Sequence, residues 1–396
     1  MTTYSAANIR SMTRKERRQR KLALELRNKN ALLALIVPVM IAAKIMVAYV
    51  LPPKYFYDNN RMLAMVLGTA GDTAWGGSYE VAAALFRTLN VVDIETMVDW
   101  SICLGIIFTA LVTLMILRVD APDLLQSLFI LATVGLLNIY IFTIGKDIIQ
   151  FAFFFIVYIV LLIPIDNALI KILASAGILY YESTFFREYY VLIAALIIAV
   201  YVILEFFRSR QQLGVGSILA IIVLLFVTIY VMMMVAQRIM PSEYDQVIGL
   251  RAGYEDAFGD DNGGNMATAI QNWIPGDNLP IFMVNYIINA FRMMIPIELA
   301  MRGAYYLPFF VFQCMVTVYM VNLLRQINQI NDTTLFLTLC VFLGYILASF
   351  IFEPDFGSWT RHEAATFPVL HLLVLNQYQK MPVSKEEWLL TKGLVS

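Results

Sequence analysis

The chain has 396 residues, of which 60% are hydrophobic and only 14% charged, with a formal net charge of −1. Its mean hydropathy of +0.72 excludes an ordinary soluble domain, in which roughly a quarter of residues are charged. It points to an all-α polytopic membrane protein, because a chain crossing hydrocarbon must satisfy its own backbone N–H and C=O groups and does so as helices of about 20 residues.

Taken in chain order, residues 1–30 form a basic leader. Arg10, Arg14, Lys15, Arg17, Arg18, Arg20, Lys21, Arg27 and Lys29 supply nine of the 28 Lys and Arg residues. Immediately before an apolar run, such a leader predicts a cytoplasmic anchor attracted to anionic headgroups, and nucleic acid is not an expected partner. The first apolar run lacks a cleavage signal and is expected to remain as an anchor. Ten spans are expected at about 31–51, 99–117, 124–144, 148–165, 168–183, 189–207, 216–236, 304–323, 333–352 and 365–379. They form a membrane domain over 31–379, followed by a tail at 380–396.

Counted from a cytoplasmic N-terminus, this order places Arg118, Lys171, Arg208, Arg210, Arg325, Lys380 and Lys385 inside, as the positive-inside rule requires. Segment 279–301 is apolar but carries Asn285, Asn289, Arg292, Pro296 and Glu298. A crossing there would move Arg325 outside, so the segment is expected to be interfacial or re-entrant. Two long outer loops follow, 52–98 and 237–303. The first contains an amphipathic stretch around 76–100, and the second an acidic turn at 259–265 without calcium-loop spacing. Cys103, Cys314 and Cys340 have no ligand or disulfide spacing, and no metal or cofactor is expected.

Ionisable groups at membrane depth are costly and mark function by default. On this topology four groups of them meet on the outer face: Lys146 with Asp147; Arg187 with Glu188; Arg292, Glu298 and Arg302; and the run Glu353 to Glu363, which opens the last span. Guanidinium forks among carboxylates suit a phosphate-bearing substrate that also presents a hydroxyl for deprotonation, as lipid-linked sugars do. His362 is read as a base or an orienting group, and His371 as a packed core residue. Tyr57, Trp75, Trp273 and Trp359 are candidates for stacking on sugars. No phosphate-binding loop, nucleophile elbow or dinucleotide fingerprint is present.

The patterns FxxGKD at 142–147, FxREYY at 185–190, NAFRMMIPIEL at 289–299 and above all FEPDFGSWTRHE at 352–363 resemble those of bacterial capsule, exopolysaccharide and O-antigen polymerases of the Wzy type, within the polytopic class called GT-C. The resemblance spans about residues 100–377 and leaves the first 98 unassigned. It implies a bacterial inner-membrane enzyme that moves a growing glycan from undecaprenyl diphosphate onto a lipid-linked repeat unit at the outer face. Chain-length regulator and flippase proteins would be its partners. Carried over, it nominates Arg187, Arg292 and Arg361, with Lys146, as diphosphate ligands, and Asp355, Glu353 or His362 as the base. Asp147, Glu298, Trp359 and Glu363 complete the expected substrate site. A related lipid-linked-sugar transferase or ligase, and a lipid-linked oligosaccharide flippase or transporter, are the competing readings.

Overall fold

The computed structural model describes residues 14–119, 122–208, 214–242, 244, 245, 249, 268–276 and 278–375. The acidic turn at 259–265 and the tail from 376 lie outside these. The protein is an all-α polytopic membrane protein. Its helices are α1 Arg14–Ile45, α2 Tyr57–Val66, α3 Ser78–Leu89, α4 Met97–Leu117, α5 Leu124–Leu136, α6 Asp147–Leu162, α7 Ala168–Ser183 and α8 Tyr190–Arg208. They continue with α9 Val215–Ile239, α10 Leu279–Met294, α11 Ile297–Met301, α12 Leu307–Arg325, α13 Thr333–Phe352, α14 Phe356–Ala365 and α15 Phe367–Leu375.

The helix starts are written in the sequence as oxygen caps. Thr96, Asn167, Asn278, Asp332 and Asp355 each accept a backbone N–H of the first turn, and Asp123 with Gln126 forms a full capping box. Among the described residues, seven helical segments are long and apolar enough to cross a membrane: Leu26–Val50, Met97–Leu117, Leu124–Ile141, Tyr190–Arg208, Gly216–Ile239, Ala304–Arg325 and Thr333–Phe352. Packed among them are the shorter helices α6 and α7, of 16 residues each, and the pair α14–α15, interrupted at Thr366.

Side chains tie each end together. At one end Lys29 Nζ donates to the carbonyls of Leu117 and Val119, Arg208 Nε to that of Ile330, Lys171 Nζ to that of Leu161 and Gln126 Nε2 to that of Val374. The opposite end, which carries the site, gathers the turns before α6 and α8, the α13–α14 turn, and α2 and α3. Segment 279–303 packs beside α12 and α13. The Met294 carbonyl at the end of α10 accepts Thr317 Oγ1 of α12 at 2.6 Å, and the short α11 follows after Pro296. One face of α10 exposes Val284, Ile287 and Phe291, while Asn285 and Asn289 are buried on the other. The nonpolar surround therefore meets the apolar face and the polar face turns inward.

The centre of the bundle is α13, which is buried along almost its whole length, with α15 wholly buried beside it. Its closest neighbour is α8, and Gly344 makes that approach feasible. A Cβ at 344 would stand 2.8 Å from the backbone N of Ile197. Backbone cannot step aside as a flexible side chain can, so Gly344→Ala is expected to cost about 1–3 kcal/mol by overpacking. A lowered thermal midpoint in detergent would register this, and an unchanged midpoint would refute the close contact.

Candidate functional site

The site is built around Asp147. It is the first residue of α6, where the helix N-terminus favours a negative charge. Its Oδ1 accepts Arg187 Nη2 at 2.7 Å. Its Oδ2 lies 3.0 Å from Arg361 Nε, and His362 Nε2 lies 3.2 Å from Oδ1. Gln150, one turn along the same face of α6, accepts Arg187 Nη1 at 2.7 Å and donates to the His362 carbonyl at 2.9 Å. The α6 start, the α7–α8 turn and α14 are thus locked to one carboxylate.

Around this hub α14 holds a second polar chain. His362 Nδ1 donates to Glu353 Oε1 at 2.7 Å, and Ser358 Oγ reaches Glu353 Oε2 at 3.2 Å and Asp355 Oδ2 at 2.7 Å. Asp355 caps α14, its Oδ1 accepting the N–H groups of Gly357 and Ser358. The far end of the long loop is pinned here by Ile270 N–H to the Pro354 carbonyl and by a bridge between Ala269 and Asp355.

On the solvent side, α2 and α3 bring in groups to which the sequence assigned nothing. Asp58 Oδ2 lies 3.7 Å from Arg361 Nη2 and accepts the Tyr79 hydroxyl at 3.0 Å. The same hydroxyl accepts Lys146 Nζ at 2.7 Å, with the ammonium 3.9 Å from the Tyr79 ring centre. Trp75 meets Tyr79 edge-on, and Arg61 lies 4.3 Å over Trp75. Burial, with Arg187 nearby, pulls the Lys146 ammonium down to about 8.

The expected site residues therefore divide. Lys146, Asp147, Arg187, Arg361, His362, Glu353 and Asp355 come together. Arg292 and Glu298 form a neighbouring bidentate pair at 2.6 and 2.8 Å. Arg292 also donates to Asn289 and to the Gln271 carbonyl and lies over the exposed Trp273 ring. This pair joins the hub through segment 269–273 and through the Trp359 Nε1 bond to the Met293 carbonyl.

Four expectations need correction. Trp359 is fully buried, stacked on Tyr345, and offers no face to a sugar. Glu363 is fully buried on the far side of α14 against Gln313 Nε2, 3.4 Å away. Arg187 is 4% exposed and committed to Asp147 and Gln150, so it positions the hub rather than touching a ligand. The three nominated bases are also otherwise engaged. The His362 ring is held between Glu353 Oε1 at 2.7 Å and Asp147 Oδ1 at 3.2 Å. Glu353 is buried under it, and Asp355 is occupied as a helix cap.

Gln150 could have been found from its i,i+3 spacing to Asp147. Asp58 and Tyr79 sit in a segment without a motif, and nothing local marks them. Lys44, also missed, lies inside α1 and donates to Ser101 Oγ and to the carbonyls of Asn138 and Phe142, tying off the π-helical turn at Leu137–Ile141. Neither a protein family, nor a curated protein, nor a solved structure matches the chain.

Proposed function

We propose that the chain is a glycosyltransferase of the polysaccharide-polymerase type. It would transfer a growing glycan from undecaprenyl diphosphate to a lipid-linked repeat unit at the outer face of a bacterial inner membrane, with its N-terminus in the cytoplasm. The observation that supports this most is the pair of partly exposed cations at one end of the helix bundle, Arg361 paired with the buried Asp147 and Lys146 donating to the Tyr79 hydroxyl. A diphosphate carried by a membrane lipid sits at that level, and fixed donors there stabilise charge developing on it as it leaves. Arg187, Gln150 and Asp147 would hold Arg361 in place, so little reorganisation accompanies the reaction. Tyr57, Trp75 and Tyr79, on the solvent side of Lys146, supply aromatic surface for the sugars. A transferase or ligase that uses another acceptor would employ the same groups.

A flippase is the second reading. The pass made by α14 and α15 is interrupted at Thr366 in the centre of the bundle, and broken helices are a device of transporters. The lipids of a strain lacking the protein separate the two. A polymerase predicts single lipid-linked repeat units accumulating in the outer leaflet, open to an added glycosidase. A flippase predicts the same lipid trapped inside.

A further inference from the structure

The carboxylates that meet the site's cations differ in their access to water. The side chains of Asp147 and Glu353 are 9% and 1% exposed, whereas that of Asp58 is 36% exposed. Asp355 is 9% exposed and has both oxygens committed to the α14 cap. A general base must reach the proton it removes, through direct hydrogen-bond contact or a single water. Of these four, Asp58 meets that condition.

We infer that Asp58, in the segment that the sequence leaves without a role, is the general base for the acceptor hydroxyl; this rests on the glycosyl-transfer reading above. Its surroundings suit the task. Tyr79 of α3 donates to Oδ2 and fixes the carboxylate, and Lys146 in turn donates to Tyr79. Arg361 of α14 lies 3.7 Å from the same oxygen, with Asp147 behind it. Arg61, on the same helix as Asp58, turns away toward Trp75 and the Thr73 carbonyl. One oxygen of Asp58 is therefore oriented by Tyr79 and Arg361, and among the described residues neither hydrogen bonds nor ion pairs engage the other. The base stands one guanidinium away from the place assigned to the leaving group.

The step balances. The acceptor O–H gives its proton to Asp58, and the oxygen forms a bond to the anomeric carbon of the donor glycan. The bond from that carbon to the diphosphate oxygen breaks, and its electron pair leaves on undecaprenyl diphosphate, beside Lys146 and Arg361. The carboxylic acid formed at Asp58 returns its proton to water. Tyr79 is a positioning residue in this scheme.

The test uses the full-length protein in detergent with a synthetic lipid-diphosphate-linked repeat unit as donor and acceptor, and follows initial rates across pH. Asp58→Asn is expected to slow turnover by about 10²–10⁴-fold, the usual size of a lost base. It should retain donor binding and lose the fall in rate toward acid pH. Asp58→Glu, which keeps the charge opposite Arg361, should recover part of the rate with a displaced acid limb, and it decides the matter if the Asn variant folds poorly. An Asp58→Asn rate within threefold of wild type, or an acid limb unchanged in the Glu variant, overturns the assignment. If Arg361→Ala is inactive in the same assay, the transferase reading survives that outcome. Wild-type protein that never elongates the lipid-linked repeat overturns the reading itself, and the assignment with it.

Discussion

Replacing Asp147 by Ala is expected to destabilise the protein by about 3–5 kcal/mol, the cost of leaving a buried charge without its partner. The side chain of Arg187 is 3% exposed and takes its ion pair from Asp147. Arg361 and His362 face the same carboxylate. Removing it leaves two guanidinium groups packed together beside His362 with less to oppose them. Arg187→Met added to Asp147→Ala should recover part of the loss, because a buried ion pair replaced by apolar side chains of similar size is often nearly neutral. Recovery stays partial because Arg361 and His362 still face the vacated position. Thermal unfolding in detergent for the two single variants and the pair gives the coupling directly. Additive losses would mean that the two residues do not share an interaction.

The second large effect concerns turnover. Arg361→Ala is expected to lower the rate of glycan elongation by about 10²–10³-fold, the range seen when a donor to a developing negative charge is lost. The protein should still fold, since Arg361 is partly exposed and Arg187 continues to hold Asp147. Arg361→Lys should rescue poorly. The guanidinium divides its fork between Asp147 through Nε and Asp58 through Nη2, and a single ammonium cannot span both. Lys146 adds a pH dependence of defined sign. Its ammonium titrates near about 8, so affinity for an anionic lipid should fall as pH rises through that value, and Lys146→Ala should flatten the trend.

The passes were legible because hydrocarbon imposes one requirement on every crossing. Apolar runs bounded by Thr96, Asn167 and Asp332 became capped helices close to where composition placed them. Segment 279–301 forms an apolar helix of 16 residues, α10, which ends before Pro296. The gathering of Lys146, Asp147, Arg187 and Arg361 followed from the same alternation of helices, since turns on one end must meet. What the sequence withheld was which charge each group spends on which partner. Arg187 and Arg361 look equivalent as letters, yet one is sealed by Gln150 and Asp147 and the other borders solvent. Trp359 was misjudged because α14, polar in composition, is packed on nearly all sides, so an aromatic residue beside Arg361 points into the bundle. Asp58 and Tyr79 stayed hidden because their role depends on α2 and α3 lying against the turn before α6, a contact that no local pattern encodes.

Equilibrium binding of undecaprenyl diphosphate to the purified protein, compared with the Lys146→Ala/Arg361→Ala double variant at pH 7, tests the central claim most directly. Loss of two charge-assisted contacts at roughly 1.5–3 kcal/mol each predicts binding weakened by at least about 100-fold, with the fold intact by thermal unfolding. Equal affinity in a folded double variant would contradict the placement of the diphosphate between these two residues.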